Sequence, residues 1–291
     1  MKFYFFIILF FFIVLSSKGQ TSYERNPASA ILFSNTLQFN NPSAISLEKD
    51  NYIFIGSQDR TGAWNEFESY YTQGAFKFHE HKIKYNAGYL GFSINVENEG
   101  SFIRFSDIMM SYCWKTKIRK NLFTAAALEM GVSSIFVEGT ILTGNSSDRA
   151  FNVNTGIILS DNKFTVGISV KQIKSSSLTP YKQNIKMSPC YIFHLSYKYN
   201  INEKVYIKPT TLYKIKRNLK DEFKNNIEIT LGKHFASNIG YLMKTGMYYS
   251  ASINNIKVKD QSLDFYISYL VPTNFSSTKV SIYEFIMKYN F

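Results

Sequence analysis

From Asn51 to the last residue the chain alternates between apolar and polar side chains. A period of two is the mark of β-strands with one greasy and one wet face. The last nine residues show it plainly. Tyr283, Phe285, Met287, Tyr289 and Phe291 fall on one face, and Glu284, Lys288 and Asn290 on the other, where Ile286 is the lone apolar residue. The same pattern puts Leu90, Phe92, Ile94 and Val96 together, then Ile108, Met110, Tyr112 and Trp114, then Tyr191, Phe193, Leu195, Tyr197 and Tyr199. Strands are predicted over 51–58, 67–79, 85–96, 102–117, 122–137, 151–159, 164–170, 191–199, 205–216, 227–235, 239–249, 263–271 and 283–291. The turn clusters Glu97-Asn98-Glu99-Gly100 and Ser160-Asp161-Asn162-Lys163 separate neighbours. Pro209 falls inside one strand, and a residue without an N–H predicts a bulge or break there.

These thirteen segments suggest about fourteen strands, since bacterial barrels require an even number. The pattern also suits a soluble β-sandwich. Three features favour the barrel: aromatics concentrated on the apolar faces, many short turns, and a last strand whose outward face carries Tyr283, Phe285, Met287, Tyr289 and Phe291. That face is similar to the C-terminal signal by which outer-membrane barrels are recognised. The predicted class is all-β: an antiparallel transmembrane barrel over residues 51–291, with an irregular N-terminal segment over 20–50 that has room for a short helix.

The start of the chain changes the picture in one respect. Lys2 precedes an apolar run over residues 3–15, then Ser16, Ser17, Lys18 and Gly19. The run is shorter than the roughly 20 residues a membrane helix needs, so 1–19 reads as a signal peptide cut near Gly19. An outer-membrane location follows as the expectation.

Composition agrees. Hydrophobic residues make up 45% and aromatics 17%, with 21 Tyr and 26 Phe, yet no apolar stretch beyond the leader is long enough for a helical span. Two cysteines, Cys113 and Cys190, exclude a disulfide scaffold and read as unpaired strand residues, with a single bond as the alternative. The net charge of +12 does not indicate nucleic acid, since the leader exports the chain and no basic–aromatic motif occurs.

Catalytic motifs are absent: the sequence has no phosphate-binding loop, no HExxH and no GxSxG. No cofactor is expected. His79-Glu80-His81 puts two imidazoles on one face, but without a third ligand at motif spacing it reads as a solvated strand end, and no metal is assigned. His194 and His234 read as lumen or turn residues. Lys204, Lys208, Lys214 and Lys216 oppose Val205, Ile207, Tyr213 and Ile215. A lysine at the lipid midplane costs about 2–4 kcal/mol, so these four are candidate basic residues of the lumen or its mouths. They would attract acidic segments or simply line a hydrated wall.

Several pieces carry a family resemblance in order along the chain. Residues 35–45, Asn-Thr-Leu-Gln-Phe-Asn-Asn-Pro-Ser-Ala-Ile, are similar to an opening segment of the type NPLYLNPAFAG. Residues 51–60 with Trp64 look like a first strand that ends in an arginine, here Arg60, followed by a tryptophan. Gly88-Tyr-Leu-Gly-Phe-Ser-Ile94, Gly167-Ile-Ser-Val and the final Tyr-Glu-Phe-Ile-Met-Lys-Tyr-Asn-Phe resemble GGLGLSI, GLSV and HEIMLSYNF. Together they resemble the PorP/SprF outer-membrane proteins of type IX secretion in Bacteroidetes. The resemblance implies a non-enzymatic component that supports secretion or surface attachment of adhesin-like cargo, some of it used in gliding motility. Implied partners are outer-membrane lipid, cargo with a C-terminal sorting domain, and periplasmic lipoproteins of the machinery. The alternative is a porin-like channel for small solutes.

Overall fold

The structure, a computed structural model, describes residues 36–48, 50–61, 67–81, 86–139, 144–173, 176–182, 185–216, 221–243, 246–272 and 281–291. The expected leader over 1–19 and Trp64 lie outside the described residues. Among the described residues seventeen strands occur in chain order: β1 (Tyr52–Thr61), β2 (Phe67–His81), β3 (Asn86–Glu99), β4 (Ile103–Lys117), β5 (Phe123–Val137), β6 (Ser146–Ser160), β7 (Phe164–Lys171), β8 (Ser176–Leu178), β9 (Ile185–Met187), β10 (Cys190–Tyr197), β11 (Tyr199–Asn200), β12 (Val205–Lys216), β13 (Glu222–Leu231), β14 (Phe235–Leu242), β15 (Gly246–Val258), β16 (Gln261–Pro272) and β17 (Ser281–Asn290). Three short 3-10 turns join them: Leu37–Phe39, Pro42–Leu47 and Pro180–Lys182.

All the strands except β8 and β9 form one antiparallel sheet, and the sheet closes on itself. The first strand pairs with the last from Tyr52↔Asn290 to Thr61↔Ser281, and β10 pairs with β12 from Cys190↔Lys216 to Ser196↔Thr210. Only Lys198 separates β10 from β11, so they are two parts of one stave and the wall has 14 staves. Closure leaves no unpaired edge, which is what a strand wall in lipid requires. The shorter connections, 161–163, 232–234 and 259–260, lie at the end of the barrel that carries Asn51 and Phe291, here the terminal end. The longer ones, including 172–189, lie at the opposite, loop end.

The alternation sorts residues by face as the sequence predicts. Along β13 the inward Lys224, Asn226, Glu228 and Thr230 are buried, while the outward Ile227, Ile229 and Leu231 are exposed. Along β17, Glu284 and Ile286 are buried, and Tyr283 and Phe285 point out. This is an inside-out protein: greasy residues face outward, and polar ones fill the middle. Glycines next to large side chains hold the wall tight. At Gly56, a Cβ would lie 2.2 Å from the Tyr71 ring of its cross-strand partner. The Tyr71 ring covers the bare backbone instead.

Four expectations need correction. The segments predicted at 227–235 and 239–249 are three strands, β13 to β15. Gly232 takes a positive φ of 67° and turns the chain inside what alternation alone reads as one run. The sixth strand starts at Ser146, five residues before the predicted 151. Pro209 causes no bulge in its own strand: Pro209↔Ile227 keeps register with β13, and the gap falls opposite, between β10 and β11. The missing N–H faces that gap, so no ladder bond is lost on the β13 side. Finally, the stretch between 170 and 191 contains an unpredicted hairpin, β8–β9.

Candidate functional site

The irregular segment before β1 lies within the barrel. Residues Thr36–Leu47 cross the lumen and pack against β3 to β6. Ser43, Ala44, Ile45 and Ser46 are buried, Ile45 completely. The residue types explain the compact path. Asn41 caps the Pro42–Leu47 turn by accepting from the Ser43 N–H at 3.0 Å, and Pro42 takes the first helical position, where no N–H is needed.

Polar hooks tie this segment to opposite walls. The Asn41 amide donates to the carbonyls of Ile157 at 3.3 Å and Ile168 at 3.4 Å, on β6 and β7. Ser169 donates to the Asn40 carbonyl at 2.6 Å, and the Lys171 ammonium to the Phe39 carbonyl at 2.9 Å. From β4, Lys115 Nζ donates to the Ser46 carbonyl at 2.7 Å. Across the barrel, Tyr52 donates to Gln38, and Lys288 pairs with Glu48 at 2.8 Å. Wall glycines make the space. A Cβ on Gly156 would lie 2.0 Å from Asn41 Oδ1, and one on Gly91 would press on Ser111, Gln38 and Ile45. Cys113 lies directly under the segment, fully buried, with its sulfur 3.8 Å from the Ser43 carbonyl.

Above the segment is a polar chamber of about 40 Å³, lined in part by Phe39, Tyr71, Asp107, Glu129, Asn154 and Lys171. Asn154 donates to Glu129 at 2.5 Å, Ser133 to Asp107 at 2.5 Å, and Tyr71 to Glu284 at 2.7 Å. A buried carboxylate is stable only with such partners. Nearer the loop end, Leu178, Ile185 and Met187 of the β8–β9 hairpin are buried against Phe105, Ile135 and Ala150 of the wall. The hairpin is fixed to β6 by Asp148, which accepts from the Thr179 N–H at 2.5 Å and hydroxyl at 3.0 Å. One side of the lumen is thus closed twice, by the N-terminal segment and by a hydrophobic lid.

Elsewhere the inner wall combines an apolar cluster, including Phe54, Ile192, Leu212, Leu270 and Ile286, with polar residues. Gln73, His194, Tyr248 and Ser268 carry buried polar atoms that meet no protein group. That would be costly in an apolar core and is ordinary in a lumen that admits water.

The sequence-predicted site residues divide. Lys214 and Lys216 point inward and are buried, both paired with Glu222: Lys214 at 3.7 Å, and Lys216 in a closer contact. Lys208 is half-buried on the same inward face, opposite Glu228. Lys204 is exposed in the bend before β12, at the terminal-end rim. Arg60 continues the inward face of β1, next to Gln58 at 3.4 Å. Trp64 falls outside the described residues. His194 faces the lumen, and His234 lies in a turn. His79 to His81 end β2, and among the described residues no cluster of metal-ligating side chains forms. The two cysteines are buried and unpaired.

Sequence reasoning missed Asn41, Ser169 and Lys171 as the hooks of the internal segment. A faint signal existed: Gly91 and Gly156 interrupt otherwise polar inward positions, and Ala44-Ile45 is an apolar pair in a polar stretch.

A sequence profile described as "Type IX secretion system membrane protein PorP/SprF" matches residues 22–289. The chain belongs to the PorP/SprF family. Its fold is that of FadL-type outer-membrane channels, by comparison with solved structures. The Ralstonia pickettii toluene transporter TbuX superposes with a TM-score of 0.58 at 11% identity, over 93% of this chain and 94% of that one. A deltaS2 mutant of the TodX monoaromatic hydrocarbon channel gives 0.60 at 10% identity, over 88% and 94%. A Pseudomonas aeruginosa FadL homologue gives 0.55 at 10%, over 94% and 96%. At such identities the likeness concerns the fold. A search of curated proteins found no match. This PorP/SprF protein is therefore a closed outer-membrane β-barrel and a membrane component of type IX secretion.

Proposed function

We propose that this PorP/SprF barrel is a non-enzymatic, closed platform that supports secretion or surface attachment of adhesin-like cargo, including cargo used in gliding. The observation that carries this reading is the lumen crossed by Thr36–Leu47 and hydrogen-bonded to facing walls. A plugged wall suits a docking role and not free diffusion of solutes. Short turns at one end and longer loops at the other support placing the terminal end in the periplasm and the loop end outside. In this reading, cargo with a C-terminal sorting domain and periplasmic lipoproteins are its partners. Residues 1–19 are removed near Gly19 on export, and the outward aromatic face Tyr283, Phe285, Met287, Tyr289 and Phe291 serves as the insertion signal. The inward lysines Lys208, Lys214 and Lys216 belong to a hydrated wall, and Lys204 lies on the terminal-end rim.

The rival is a porin-like channel. Planar-bilayer recording separates them. The full chain is expected to show no steady conductance, while a strain lacking it fails to display cargo and regains display when the full chain is restored. Steady ohmic conductance of the full chain, together with normal display in its absence, would establish the channel and sink the platform.

A further inference from the structure

At the terminal end, each of the five described turns carries an exposed cation. Arg119 and Lys120 follow β4, Lys163 follows β6, Lys204 precedes β12, Lys233 follows β13, and Lys259 follows β15. The sixth turn lies outside the described residues, and its sequence over 82–85 is Lys-Ile-Lys-Tyr. The three acids in these turns offset half of the six cations and leave the end net positive. Asp161 accepts from the Lys163 and Phe164 N–H groups at 2.6 and 2.8 Å, which commits one carboxylate oxygen to the turn itself. Glu203 and Asp260 are the other acids in these turns. Among the described residues of the loop end, acids and cations mix: Glu68, Glu138 and Asp148 accompany Arg104 and Arg149.

The cations spread around the circumference instead of gathering on one side. Just inside them in depth, outward-facing Trp114, Tyr197, Tyr199, Phe235 and Phe291 are exposed and form an aromatic girdle. Aromatic girdles settle at the headgroup boundary of a bilayer. Side chains one step beyond that girdle sit at the depth of the lipid phosphates, where lysine and arginine are drawn to anionic headgroups. A protein partner would fit a one-sided patch; a complete ring fits a surface that surrounds the barrel.

From the ring and its depth we infer that the terminal-end turns bind the phosphates of anionic phospholipids, selecting a shell of phosphatidylglycerol-type lipid around this end. The inference rests on the membrane-spanning reading above and is independent of what cargo the barrel serves.

The full chain is reconstituted in phosphatidylcholine vesicles, and spin-labelled phosphatidylglycerol and phosphatidylcholine are compared for the motionally restricted fraction at the protein. Wild type is expected to prefer phosphatidylglycerol several-fold at low salt, each cation contributing up to about fivefold where it meets a headgroup. Raised salt removes the preference by screening. The variant K120Q/K163Q/K204Q/K233Q/K259Q loses it while keeping a restricted phosphatidylcholine component, which shows that the barrel is still inserted. R104Q/R149Q at the other end retains it. Equal association of the two lipids with wild type overturns the inference, as does a preference that survives the quintuple change. Salt-sensitive capture of polyglutamate without any lipid preference would assign the ring to an acidic protein and also overturn it. A barrel that fails to insert would instead count against the membrane reading, and it shows as the absence of any restricted lipid.

Discussion

Replacing Asn41 with Ala should unlatch the segment that fills the lumen. Its side chain accepts one bond from the Ser43 N–H at 3.0 Å and donates two longer ones to Ile157 and Ile168, at 3.3 and 3.4 Å. The two carbonyls belong to wall strands, so their loss costs little. The Ser43 N–H is different: the residue is fully buried, and stranding its donor costs about 1–3 kcal/mol, with roughly 1 kcal/mol more for the two long bonds together. A net weakening of about 2–4 kcal/mol follows, equivalent to about 30- to 900-fold in the balance between seated and released segment. Cys113 supplies the assay. It is fully buried beneath the segment, with its sulfur against the Ser43 carbonyl, so a maleimide reaches it only when the segment leaves. In a Cys190→Ala background, Cys113 labelling of the folded barrel should be slow in the parent and faster in Asn41→Ala by that factor. Gly156→Leu should act in the same direction, because its Cβ alone would come within 2.0 Å of Asn41 Oδ1. Equal labelling in all three proteins, each shown to be folded by its heat-modifiable gel migration, would refute the latch.

Two further outcomes are expected. Glu222→Gln leaves Lys214 and Lys216 without their shared carboxylate in a buried setting, and should lower barrel stability by about 3 kcal/mol in detergent unfolding, while Glu222→Leu combined with Met at both lysines recovers most of the loss. Ile157→Lys places a charge on the outward face at a strongly exposed site and should cost about 2–4 kcal/mol if that face meets lipid; unchanged unfolding in lipid vesicles would deny the outward assignment.

The wall was legible in the sequence because its signal is local. In β13, Ile227, Ile229 and Leu231 alternate with Glu228 and Thr230, and lipid against lumen demands nothing more. Where the reading went astray, a local rule was outvoted by a neighbour. Residues 227–235 alternate well enough to pass for one strand, yet Gly232 turns them, and only the pairing of Leu231 with Phe235 reveals the hairpin. Pro209 predicts a bulge or break in its own strand, but the strand across from it absorbs the gap, at Lys198. Likewise the hairpin Ser176–Met187 has short strands with too few alternations to register. It is held by burial of Leu178 and Met187 on Phe105 and Ile135, residues distant in the chain.

The internal segment was the least legible part, for a reason that bears on function. Three of its bonds to the wall run through its own backbone: the carbonyls of Phe39, Asn40 and Ser46 accept from Lys171, Ser169 and Lys115. A backbone acceptor leaves no trace in side-chain patterning. The wall residues that donate look like any inward polar position. A filling held this way is strong bond by bond, and it adds apolar contacts through Pro42, Ala44, Ile45 and the half-buried Leu37 and Phe39, the last edge-on to Phe54 and Tyr71. Release exchanges protein hydrogen bonds for water bonds, a nearly balanced trade at about 0.5–1.5 kcal/mol net each. A hydrophobic plug would be committed to its place. This one is mixed: a partner offering the lysines and Ser169 comparable acceptors would compete for its polar bonds, while Leu37, Phe39 and Ile45 hold it through the apolar cluster.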